Sequence, residues 1–167
     1  MLGKKMETAL NDQINAELHS AYLYLSMAAY FHSMNLGGMA QWMQVQAREE
    51  VGHAMKIYGY INERGSRILL KPVEGPATEW KSPLDAFKAA YKHELYITKR
   101  IHDLVDMATK EKDLATQSFL KWFIDEQVEE EASTDDVVQK LTLAGEKGPG
   151  LFMLDRELGR RGTSVAE

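Results

Sequence analysis

The sequence predicts an all-α fold: a four-helix bundle of two antiparallel pairs joined by one long crossover, with a short fifth helix at the C-terminus. Three observations predict it. Apolar residues recur at helical spacing along nearly the whole chain, with no strand-type alternation. Three of the four prolines, Pro72, Pro76 and Pro83, fall in one stretch and break the pattern only there. At 167 residues the chain is one domain's worth, long enough to bury a core without a disulfide or a structural metal. The expected organisation is a single domain over 1–167, with the bundle at about 4–144 and the last helix at about 150–160.

The first helix is predicted from about Lys4 to Met34, with Leu10, Ile14, Leu18, Ala21, Leu25 and Ala28 on one face and Asn35, Gly37 and Gly38 as its stop. The second begins almost at once and continues to about Gly65, with Ala40, Met43, Ala47, Ile57 and Ile61 inward; so short a turn makes the pair antiparallel. Gly52 and Gly59 inside it each cost on the order of 1 kcal/mol against alanine, which close contact with a neighbouring helix would explain. The stretch SRILLKPVEGPATEWKSP cannot be helical. Extended, its 17 residues from Gly65 to Ser82 reach roughly 55 Å, more than the about 42 Å of a 28-residue helix, so it can cross the bundle and make helices two and three parallel. Ser82-Pro83-Leu84-Asp85 is a helix start, with a capping serine, proline at the first position and an acid in the first turn. That third helix carries Leu84, Phe87, Tyr91, Ile101, Val105 and Ala108. Asp113 caps a fourth with Leu120, Phe123, Val137 and Leu141, ended by Gly145 and Gly148-Pro149-Gly150. The last piece places Leu151, Leu154 and Leu158 on one face, but so short a helix must dock on something, another subunit included.

Composition removes several function classes. With no cysteine there are no disulfides, thiolate metal sites, iron–sulfur clusters or cysteine nucleophiles. A net charge of −5, with basic pairs only at Lys4–Lys5 and Arg160–Arg161, argues against nucleic-acid binding. No apolar run is long enough for a membrane span and the N-terminus has no signal-peptide pattern, so a cytoplasmic protein is expected.

The functional signal is polar residues inside apolar stripes. Glu17 interrupts the first helix, Glu50 and His53 the second, Glu94 the third, and Gln127 and Glu130 the fourth. Glu17 and Glu50 are 33 residues apart, as are Glu94 and Gln127, so a degenerate internal repeat puts six groups at one level of the bundle. On a helix, positions i and i+3 share a face and can share a metal ion. Four buried carboxylates would repel one another, and two divalent cations neutralise them, with His53 and Gln127 as neutral ligands. Oxygen-rich donors with one imidazole suit iron or manganese. The pattern approaches a Glu from two helices and Glu-x-x-His from two others, except that Gln127-x-x-Glu130 replaces the second Glu-x-x-His. Glu49, Glu126 and Glu129, one position from these residues, are candidates for an auxiliary cation site, and otherwise a solvated face. Tyr24, two turns after Glu17, is a core aromatic or a catalytic group that hydrogen-bonds a ligand or donates an electron. Tyr22 and Tyr30 are core aromatics on the same reading. Trp122 is assigned to packing, and His19, His32, His93 and His102 to surface or packing roles. The residues alone point to a buried two-cation site, and leave open a di-iron peroxidase or oxygenase of small oligomeric state and a non-catalytic helical scaffold.

LNDQINAELHSAYLYLSMAAYF, QAREEVGHAMK, FLKWFIDEQVEEEAS and LFMLDREL together resemble the prokaryotic non-haem ferritins over essentially the whole chain. The resemblance implies a ferritin-like bundle, a homo-oligomeric shell of 24 subunits, and ferroxidase activity on Fe(II) with oxygen or hydrogen peroxide at a two-iron site, followed by mineral storage. It implies that Glu17, Glu50 and His53 hold the first iron, that Glu50 bridges to a second held by Glu94 and Glu130 with Gln127 nearby, and that Glu49, Glu126 and Glu129 serve a third. Val51 stands where bacterioferritin has its haem-ligating methionine, so no haem is expected.

Overall fold

The computed structural model describes residues 1–162. It contains α1 (Lys4–Ser33), α2 (Gly37–Glu63), α3 (Pro83–Lys110), α4 (Leu114–Ala144) and α5 (Pro149–Leu158), and no strand among the described residues.

The predicted boundaries rest on chemistry that the structure displays. Ser82 caps α3, its hydroxyl accepting from the Asp85 N–H at 3.1 Å, with Pro83 in the first turn. Asp113 caps α4 by accepting from the Thr116 N–H at 3.1 Å, and Arg64 at the end of α2 grips both Asp113 oxygens at 3.1 and 3.2 Å.

The crossover, residues 64–82, runs along α1. Asn11 on α1 donates to the Arg67 carbonyl and accepts from the Leu69 N–H; Asn15 donates to the carbonyls of Lys71 and Pro72, and Ser26 to that of Ala77. Position along α1 and along the crossover increase together. The chain therefore travels from the end of α2 back to its beginning, and α3 starts parallel to α2, as the length argument requires.

Three expectations are corrected and a fourth, the docking of the last helix, is borne out. Leu25 and Tyr22 face outward, 52% and 50% exposed, whereas Leu10, Ile14, Ala21 and Ala28 are buried. At about 100° per residue Leu25 and Tyr22 stand roughly 60° and 120° to one side of Leu10, whereas Glu17 and Tyr24 stand roughly 20° and 40° to the other, and the inner face is centred on that other side. Gly37 and Gly38 do not end α1: Asn35, at φ 59°, makes the turn, and α2 begins at Gly37. Gly52 and Gly59 have nothing within 4 Å of where a Cβ would stand, so no helix of this chain crowds them. The fifth helix docks on its own chain: Leu154 and Leu158 are buried, the Asp155 carboxylate accepts from the Met39 N–H at 2.8 Å in the first turn of α2, and Lys140 pairs with Glu157 at 2.8 Å.

The core consists of two apolar clusters. One gathers Tyr24 to Phe31 of α1, Met39 to Ala47 of α2, Ala86 to Ala90 of α3, Val137 to Leu141 of α4 and the buried leucines of α5. The other gathers Met6 to Ile14, Ala54 to Ile61, Ile97 to Ala108, and Leu120 with Phe123. On every long helix the six polar residues named above fall between the two clusters. The bundle thus carries one buried polar layer at mid-height.

Candidate metal centre

All six residues of that layer are buried: Glu17, Glu50, His53, Glu94, Gln127 and Glu130 are each at most 5% exposed. The structure gathers them into two donor groups. Glu17, Glu50 and His53 each present a ligand atom within 4.8 Å of the others, and so do His53, Glu126 and Glu130. Among the described residues Glu94 belongs to neither. One of its oxygens accepts from the Tyr24 hydroxyl, the other from the Gln127 amide at 3.2 Å. Gln127 also donates to Thr98 Oγ1 at 3.2 Å.

The electrostatics record how far the carboxylates are from water. Burial, and then the facing Glu50 charge, push Glu17 up to about 8. Burial, and then Glu94, push Glu130 up to about 7. Glu50 is raised well above the usual carboxylate range by burial and by Glu94 and Glu130, and Glu94 is raised by burial. Tyr24, fully enclosed beside these acids, is raised too, so it is a neutral hydrogen-bond donor at neutral pH.

A divalent cation fits this donor set. Among the described residues, Glu17 Oε2 is the one buried side-chain polar atom with no hydrogen-bond partner. Such an atom costs about 1–3 kcal/mol or more if nothing reaches it. It lies in the Glu17–Glu50–His53 group, which offers oxygen and nitrogen donors of the kind that bind one ion at about 2.0–2.2 Å.

The auxiliary acids separate. Glu126 faces His53 Nε2 at 3.7 Å; Glu49 instead pairs with Arg161 at 2.6 Å, and Glu129 is exposed. Trp122 packs as expected: its ring lies edge-on to His53, centroids 5.4 Å apart, and carries the Lys56 ammonium 4.3 Å from its centroid.

Sequence reasoning missed Gln13 and Gln46. Both are fully buried; Gln13 donates to Glu17 Oε1 at 2.8 Å, and Gln46 donates to Glu50 Oε1 at 3.2 Å and to Glu130 Oε2 at 2.6 Å. The signal was present: each stands four residues before an inward glutamate, and they repeat the 33-residue spacing. His93 was also underestimated. It accepts or donates at 2.7 Å to Ser20 Oγ and lies edge-on to Tyr24, and burial lowers it to about 4.

Buried carboxylates from four helices, in an all-α bundle with one long crossover, define the class of ferritin-like bundles that build metal sites in their cores. The family model described as Ferritin-like domain matches residues 7–144, and the chain belongs to the ferritin family. It is 42% identical to the bacterial non-heme ferritin of Bacteroides fragilis, over 96% of this chain and the whole of that protein. It is 39% identical to a probable bacterial non-heme ferritin-like protein of Haemophilus influenzae, over 99% of this chain and all of that one. Among solved structures, an open pore ferritin from the hyperthermophilic archaeon Archaeoglobus fulgidus superposes with a TM-score of 0.95 at 56% identity, covering 96% of this chain and 99% of that one.

Proposed function

We propose that this chain stores iron, oxidising Fe(II) at the buried polar layer and holding the ferric product inside a shell of identical subunits. The observation that carries the reading is Glu17 Oε2, buried among raised carboxylates with no hydrogen-bond donor facing it, a position that a cation would fill. Iron is the substrate. The names of the relatives, non-heme ferritins, supply its identity.

On this reading Glu17, Glu50 and His53 bind the first Fe(II). Glu50 bridges to a second, which Glu130 and Glu94 hold once Glu94 Oε2 leaves the Gln127 amide while Oε1 keeps the Tyr24 hydroxyl, with Gln127 beside it. Two ferrous ions give up one electron each, and oxygen or hydrogen peroxide accepts the pair together with two protons. Tyr24 steadies Glu94 as a hydroxyl donor. Glu126, adjoining His53 and Glu130, begins the path to an auxiliary third site, which Glu49 and Glu129 complete. The shell, of 24 subunits by analogy with the family, is supported by an exposed apolar stripe on α2, Val51, Met55 and Tyr58 at helical spacing, and by exposed Leu69 and Leu70 on the crossover.

Aerobic addition of Fe(II) in excess of two per chain, followed by sedimentation with iron analysis, tests the proposal. The expected result is large particles carrying many iron atoms per chain. A monomer or small oligomer with no retained ferric iron overturns it.

A further inference from the structure

The two glutamines behind the carboxylates are each held by an arginine from outside the layer. Arg100 on α3 donates through Nε to Gln13 Oε1 at 2.9 Å, and further to the Asp12 carbonyl and the Tyr96 hydroxyl, both at 3.2 Å. Arg161, just past α5, donates through Nη2 to Gln46 Oε1 at 2.9 Å and to Glu49 at 2.6 Å. Its guanidinium lies 4.2 Å from the Trp42 ring centroid.

A guanidinium has donors only. The amide corner that meets it must therefore be oxygen, which fixes the other corner as NH2. In Gln13 that NH2 meets Glu17 Oε1; in Gln46 it meets Glu50 Oε1 and Glu130 Oε2. A reversed amide would set oxygen against carboxylate and NH2 against guanidinium, two repulsive contacts in a buried site.

We propose that Arg100 and Arg161 are positioning residues that set the amide polarity of Gln13 and Gln46 and thereby hold Glu17, Glu50 and Glu130 in a metal-binding arrangement. In Glu17 the amide engages Oε1 and leaves Oε2 for the ion. The docking of α5 acquires a role in the centre, because it delivers Arg161. This inference rests on the proposed metal site.

The test is an anaerobic titration with Co(II), followed by its visible absorption, on the full chain. Partners behind metal ligands are worth about 10–100-fold in metal affinity. Arg161→Ala and Arg100→Ala are each expected to weaken Co(II) binding about tenfold or more and to shift the absorption bands. Arg161→Lys, which still offers only donors, keeps the wild-type affinity. Arg161→Met, which preserves packing over Trp42 without donors, reproduces the alanine loss even if alanine loosens the C-terminal arm. Gln46→Leu has the same effect, and adding Arg161→Ala to it makes binding no weaker. Wild-type binding in the alanine and methionine variants, equal loss with lysine, or additive losses overturn the inference. Glu50→Ala is the control. If it loses Co(II) while the arginine variants are unaffected, the inference alone fails; if it binds Co(II) as wild type does, the metal site itself fails and the inference with it.

Discussion

Glu17 and Glu50, on antiparallel neighbouring helices, present carboxylate oxygens within 4.8 Å of each other inside the bundle. Each is 1% exposed, and burial keeps both protonated well above the ordinary value of 4.5. Two uncompensated charges so placed would destabilise the metal-free fold.

The first prediction concerns pH. Below about 4.5 these acids are protonated whether the chain is folded or unfolded, and their contribution to stability is fully present. As pH rises, the unfolded chain releases protons that the folded one retains, up to about 7 at Glu130 and about 8 at Glu17. Each retained proton removes about 1.4 kcal/mol of stability per pH unit. The Tm of the metal-free protein should therefore fall between pH 5 and pH 8. Saturating Co(II) at pH 8 should raise it again. Calorimetry checks both, and a Tm flat across that range contradicts the electrostatic account.

Iron oxidation should depend on the same residues. On the proposed reading Glu50 is shared by both ions and His53 is the one imidazole, so Glu50→Ala and His53→Ala should slow the initial rate of Fe(II) oxidation at least tenfold. Helix content should remain, because the two apolar clusters on either side of the layer are untouched. Stopped-flow absorbance and circular dichroism give the two readouts. Wild-type initial rates would remove these residues from the mechanism.

The polar layer was legible because a charged residue in an apolar stripe is a local contradiction, visible in one helix at a time. All six residues from Glu17 to Glu130 are buried for that reason, and Ser82 and Asp113 are caps for a comparably local one. What was not legible is what distant segments do to one another. The Asp155 carboxylate capping α2 at Met39 has no period to announce it, and neither does Arg161 reaching Gln46. Glu94 turning toward Tyr24 and Gln127, away from the donor groups, is decided by rotamers and hydrogen bonds that spacing does not encode. Leu25 went wrong because the stripe was drawn through leucines at one edge of the inner face, roughly 60° from Leu10, while the polar Glu17 and the aromatic Tyr24 mark its centre.

Tyr24→Phe isolates one hydroxyl. It removes the donor to Glu94 Oε1 while keeping the ring that packs in the cluster with Phe31 and Met43 and against His93. A hydrogen bond to a charged or partly charged group is worth about 1.5–3 kcal/mol. The metal-free variant should lose stability of that order in urea denaturation at pH 8, and its Fe(II) oxidation should slow several-fold. No change in either would return Tyr24 to the role of a core aromatic.

Trp122 offers an optical report on His53. The two rings meet edge-on with centroids 5.4 Å apart. A paramagnetic ion on His53 should quench Trp122 fluorescence, so Co(II) should dim the protein's emission in proportion to occupancy. Trp122→Phe should remove most of that quenching, since Trp42 lies in the apolar cluster of Tyr24 and Phe31 and Trp80 packs against that cluster's edge. Equal quenching in the variant would place the ion elsewhere.

Gly38→Ala tests the contact that carries α5. A Cβ at Gly38 would stand 1.6 Å from the Asp155 carbonyl oxygen and 3.0 Å from the Gly159 nitrogen, both backbone atoms that cannot swing aside. The helix must move bodily, breaking the Asp155 cap on Met39 and drawing Leu154 and Leu158 out of the core. Overpacking of this kind costs typically 1–3 kcal/mol, and loss of a cap about 1 kcal/mol more. Gly52→Ala on the same helix meets nothing within 4 Å and replaces a poor helix former with the best, so it should stabilise the isolated subunit by up to about 1 kcal/mol. The two alanines should therefore shift the urea midpoint in opposite directions. If Gly38→Ala proves as benign as Gly52→Ala, α5 does not seat against α2 as described.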